Sequence, residues 1–170
     1  MATYTKGYKK KNPEQALLLT IVGIIGLVLL VVGAVFIYDL ATDAGSYDDY
    51  THIEAYDLIL NQVDSSNQEI SDYLVYFYSD DCSNCTSIKR EALKLVEKID
   101  NVPIFFVNAS TIKETATGDK DIFEDLINAT VRTPMVISIT DGEFKELYSG
   151  TIRVIEILES VEEGTYTPFN

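Results

Sequence analysis

The chain of 170 residues is poor in metal-ligating side chains: it has two cysteines, Cys82 and Cys85, and one histidine, His52. A structural zinc site takes four Cys or His ligands. A complete Cys/His site inside one chain is therefore excluded, and only carboxylates or a dimer would fill the gap. Basic residues are also few, 13 against 27 acidic ones, for a net charge of −14. None lies between Lys11 and Lys89. That balance is the opposite of what a phosphate backbone attracts, so nucleic acid is excluded as a partner. The acidic excess reads as a solvated surface that also repels anionic lipid. No internal repeat is present.

Charge of either sign is missing from residues 16–38, which are almost wholly Leu, Ile, Val, Ala and Gly. This run is long enough to cross a bilayer as one helix. Lys6, Lys9, Lys10 and Lys11 precede it, with Glu14 the only acid, whereas Asp39, Asp43, Asp48 and Asp49 follow. The first 38 residues thus carry +3 and the remainder −17. The positive-inside bias predicts a cytoplasmic tail (1–15), a transmembrane signal anchor (16–38) and an acidic linker (39–49) leading outward. The apolar core is too long for a typical cleaved signal peptide, and Ala41-Thr42-Asp43 is a poor cleavage site. No cysteine follows the anchor closely, which excludes lipoprotein-type processing. The expected localisation is a single-pass cell-membrane protein, N-terminus inside, with the layout of a Gram-positive surface protein. An extracytoplasmic compartment is one where disulfides persist.

Beyond the linker the patterning predicts one α/β domain over residues 50–165. Ile53, Tyr56, Ile59, Leu60 and Val63 at helical spacing predict an amphipathic helix over 50–63. Residues 74–78, apolar throughout, predict a strand buried on both faces. A helix over about 82–99, a strand over 102–107 and a short helix from Ile122 to near Ala129 follow. Strands over 135–140 and 144–149 flank Asp141-Gly142, a strong signal for a tight hairpin. Val154, Ile155, Leu158 and Val161 mark a last helix, and the tail after it reads as frayed. The helix between the first two strands makes them parallel. A mixed four-stranded sheet flanked by helices is the expected architecture.

The two cysteines stand at C-x-x-C spacing where strand 74–78 gives way to a helix N-terminus. Unpaired N–H groups and the helix dipole favour a thiolate at Cys82. Asp80 and Asp81 just before it oppose that charge and push the thiol the other way. Closing so small a loop contributes roughly 2 kcal/mol, so a staple gains little there and a redox couple much. A structural disulfide and a metal half-site are the competing readings. His52 reads as a surface histidine. Asn84, Asn108 and Asn128 open glycosylation-type triplets, taken as chance matches; a glycan on Asn84 would block the turn.

Strand, C-x-x-C, helix, a later Thr133-Pro134 opening a strand, a hairpin and a final helix together resemble the thioredoxin superfamily over roughly residues 50–162. The resemblance implies a thioredoxin-like fold and a thiol–disulfide oxidoreductase. Cys82 would be its nucleophile, Cys85 its resolving cysteine, and Thr133 and Pro134 its substrate-binding residues. It implies a cis bond before Pro134, facing the dithiol. The redox disulfide serves as its own cofactor; no metal or other cofactor is implied. The partners implied are protein thiol or disulfide clients and an unidentified redox partner. Departures are equally plain. Asp81 stands where the family has tryptophan, Tyr76 where thioredoxins bury an aspartate, and an apolar residue near Phe106 where its lysine partner sits. Ser83-Asn84 between the cysteines matches neither strong reductants nor strong oxidants. A redox-inactive binding module, or an accessory in peptide export or surface assembly, is the alternative.

Overall fold

The structure, a computed structural model, describes residues 13–42 and 45–169. Most of the expected cytoplasmic tail, with its lysines, and Asp43 of the expected linker lie outside the described residues. The chain divides into two units, Met1–Asp43 and Ala44–Asn170, each described by itself. In the first, helix α1 (Pro13–Thr42) has 30 residues. Within it Leu17–Tyr38 has a mean hydropathy of 3.0 over its most apolar window and is long enough to cross a membrane. The segment is apolar around its whole circumference, so no stripe is reserved for water.

The second unit is built on one sheet of four strands, β1 (Tyr73–Tyr78), β2 (Ile104–Asn108), β3 (Met135–Thr140) and β4 (Glu143–Ser149), in the order β2-β1-β3-β4. β1 and β2 run parallel; β3 is antiparallel to β1 and to β4. Helix α2 (Ser83–Val96) joins β1 to β2, α3 (Asp119–Leu126) follows β2, and α4 (Thr151–Glu162) follows β4. All six residues of β1 are buried, because both faces of the sheet are covered. Leu74, Tyr76 and Tyr78 point into one core with α2 and α4. Tyr73, Val75 and Phe77 point into the other, with Phe123 and Ile127. At the β3–β4 turn Asp141 (φ 54°) and Gly142 (φ 74°) both take left-handed backbone, the demand of a type I′ hairpin.

Three expectations are corrected. No helix forms over residues 50–63. Residues 51–55 run extended along the free edge of β2, with Ile53 N–H donating to Phe106 O (2.8 Å) and Phe106 N–H to Thr51 O (2.9 Å). Only a single 3-10 turn, Tyr56–Leu58, is helical. The apolar spacing there serves two periods in turn: Ile53 and Ala55 alternate inward as on a strand, then Tyr56 and Ile59 close a turn. Covering the edge of β2 also protects its unpaired N–H and C=O groups.

The linker does not extend to residue 49, for the compact unit already includes Tyr47–Asp49, a 3-10 turn. Ser46 Oγ accepts from the Asp48 N–H and the Asp49 carboxylate from the Ser46 N–H, both at 3.2 Å. Tyr47 is buried against Tyr76, Tyr78 and Phe106. The tail is not frayed either. Tyr166 is buried and its hydroxyl donates to Ser138 Oγ at 2.7 Å, while Phe169 packs against its ring. Tyrosines aside, Ser138 is the one polar residue buried among the described residues, and the tail satisfies it.

Candidate active site at the strand-to-helix turn

β1 ends at Tyr78, and Ser79–Cys82 turns back on itself through a hydrogen bond from the Cys82 N–H to Ser79 O (3.2 Å). Cys82 takes extended backbone (φ −89°, ψ 106°) as the N-cap of α2. Its Sγ accepts from the Cys85 N–H at 3.0 Å, so a helix-terminal amide is spent on this sulfur. Cys82 and Cys85 form a disulfide with Cα atoms 5.2 Å apart. The two sulfurs differ in access: Cys82 is half-buried, whereas Cys85 is 1% exposed. Helix geometry causes this asymmetry, placing the N-cap at the rim and the residue one turn in against the sheet.

Thr133 and Pro134 come to the same place from a distant part of the chain. The bond between them is cis. The Thr133 carbonyl oxygen lies 3.4 Å from Cys82 Sγ. Pro134 O accepts from the N–H of Gly150, which takes φ 91° at the start of α4. The four residues singled out in the sequence therefore converge. Of the two aspartates, Asp80 accepts from Asn108 Nδ2 (2.9 Å) at the end of β2, and Asp81 is exposed.

Beneath the turn lies an aromatic cluster that no local sequence pattern links to the cysteines. The Tyr47 hydroxyl donates to the carbonyl of Cys85 at 3.5 Å, its ring stacks on Tyr78 (4.0 Å), and Lys89 Nζ sits 4.8 Å over its face. Tyr76 is fully buried, and its hydroxyl has no hydrogen-bond partner of good geometry. The Tyr47 hydroxyl is close enough to act on it electrostatically. Burial pushes the phenols of Tyr76 and Tyr47 up, so both stay neutral.

His52 is not a free surface residue. Its Nδ1 meets Tyr50 O and its Nε2 meets the Tyr78 hydroxyl, both at 2.9 Å, half-buried on the edge of β2. No signal of Tyr47 or His52 was available from spacing, because both belong to segments read as linker or helix. Among the described residues no three His, Cys, Asp or Glu side chains converge as a metal ion would require.

No family model matches this sequence, and no curated protein is significantly similar to it. Its likeness to solved structures is one of fold. Mitochondrial thioredoxin 3 of Saccharomyces cerevisiae, in its oxidized form, is 13% identical with a TM-score of 0.50, over 70% of this chain and 99% of that one. Thioredoxin f2 of Chlamydomonas reinhardtii is 18% identical with a TM-score of 0.47, over 68% of this chain and 97% of that one. The chain has a thioredoxin fold, a mixed four-stranded sheet flanked by helices, preceded by one apolar helix.

Proposed function

We propose that this protein is a membrane-anchored thiol–disulfide oxidoreductase acting on protein disulfides outside the cytoplasm. The observation that carries the reading is the unequal access of a bonded C-x-x-C pair at a helix N-terminus. In the reducing direction the accessible Cys82, as thiolate, attacks one sulfur of a client disulfide. The client S–S bond breaks, the departing sulfur leaves as a thiolate that takes a proton from water, and a mixed disulfide joins Cys82 to the client. Cys85, as thiolate, then attacks Cys82 Sγ and expels the second client thiol. The dithiol has given two electrons to the client and is left as the Cys82–Cys85 disulfide. A dithiol redox partner restores it by the same exchange. As an oxidase the steps run in reverse.

Thr133 and Pro134 are the residues we assign to client binding. The closeness of the Thr133 carbonyl to Cys82 supports this, since a segment lying along residues 133–134 would present its sulfur there. The dithiol requires no further cofactor for this exchange. The apolar segment 17–38 would hold the domain at the membrane, and the lysines before it favour a cytoplasmic N-terminus. The neutral Tyr76 beneath the pair supports a second reading, a binding module or export accessory whose disulfide never opens.

The test is trapping. Cys85→Ser in the full chain accumulates mixed disulfides with client proteins on non-reducing gels, and Cys82→Ser accumulates none. If neither variant traps a client and the wild-type chain reduces no insulin, the enzyme reading is wrong.

A further inference from the structure

Helix α3 carries two apolar stripes where its length needs only one. Phe123 and Ile127 turn inward and are 4% exposed, and Phe123 packs on Phe77 and Tyr56. Ile122 and Leu126, displaced by one residue and spaced i,i+4, form a second stripe that is 68% and 48% exposed. This second stripe faces the turn after the β2 edge segment. Between them lies a groove of about 540 Å³, with Tyr56, Leu60, Ile122, Phe123 and Leu126 supplying its apolar surface. That volume is in the range of clefts that take ligand-sized groups. The polar lining is acidic, Asp57, Asp119 and Asp125 with Asn61, and no lysine or arginine lines it. Asp57 and Asp119 each turn one oxygen to the protein, accepting from Thr115 Oγ1 and from the Ala116 N–H, which leaves each a second oxygen.

We propose that this groove, separate from the dithiol, docks a cationic amphipathic segment of a partner peptide or protein. Two apolar side chains on one face of such a segment would cover Ile122 and Leu126. Lysine or arginine beside them would meet the aspartates. Charge complementarity selects this occupant over the others. A second copy of this chain brings the same three aspartates to a self-complementary contact, which repels them. A bilayer containing anionic lipid is repelled by the same rim. The groove owes nothing to thiol chemistry, so its occupancy stands or falls independently of the redox reading.

The test uses the full chain in phosphatidylcholine nanodiscs and a labelled synthetic helix of leucine and lysine, with leucines along one face. Anisotropy titrations are read against empty discs. The wild-type chain binds this peptide, more weakly as salt rises, and does not bind the matching leucine/glutamate peptide. Ile122→Ser combined with Leu126→Ser weakens binding about tenfold or more, from the lost apolar burial. Asp57→Asn combined with Asp125→Asn weakens it too and flattens its salt dependence. Cys82→Ser leaves it unchanged. The proposal is overturned if the leucine/glutamate peptide binds equally, if both groove variants bind as wild type, or if empty discs account for the signal. It is equally overturned if the wild-type chain self-associates through this face and Ile122→Ser with Leu126→Ser abolishes that association.

Discussion

Tyr76 and Tyr47 decide how the dithiol is supported. Tyr76 carries a hydroxyl into the core where its one polar neighbour, the Tyr47 hydroxyl, is not placed for a well-formed hydrogen bond, and a poorly made bond there leaves most of the group's desolvation uncompensated. Tyr76→Phe should therefore be neutral or raise stability by about 1 kcal/mol, read as a higher denaturation midpoint at unchanged slope. A clear loss would show that the hydroxyl has a partner. Tyr47 is the opposite case, since its ring fills space between Tyr76, Tyr78 and Phe106 and its hydroxyl holds the Cys85 carbonyl. Tyr47→Ala should cost about 3–5 kcal/mol by opening a cavity. The cysteines themselves differ in access, so in the reduced protein iodoacetamide should alkylate Cys82 well before Cys85, as peptide mapping would show.

At the scale of elements, the edge segment at residues 51–55 is the feature that sequence patterning read as helix. Its pairing with β2 predicts that the amides of Ile53 and Phe106 exchange with deuterium as slowly as those inside the sheet. Exchange as fast as in loops would mean the edge is open. β1, β3 and the Asp141-Gly142 hairpin were readable because an apolar run bounded by turn residues has few alternatives. Cys82, Cys85, Thr133 and Pro134 were readable through their order along the chain, and the structure brings them together. The segment 51–63 was not, because five apolar residues over two short motifs mimic a helical period. Tyr47 and Tyr166 were hidden for another reason. Each is a single buried aromatic in a polar stretch, held by long-range partners such as Cys85 and Ser138 that no local pattern contains.

For the whole molecule, tyrosine burial sets its behaviour in alkali. Burial pushes Tyr73 up to about 12 from the ordinary 10.0. It does the same to Tyr78, with the charges of Asp48 and Asp80 adding to the effect. In each, folding favours the neutral phenol. Their contribution to stability is complete below pH 10 and is lost as pH rises through about 12. Tyrosinate absorbance and unfolding should then rise together in that window; tyrosines that all titrate near 10.0 in the folded state would refute this. Whether Cys82 and Cys85 are a redox couple or a staple is decided by their reduction potential. Equilibration of the full chain with thiol–disulfide buffers should give a value above roughly −300 mV, within reach of a thiol partner. A potential far below that value would mean a bond that never opens, and the oxidoreductase account would be contradicted.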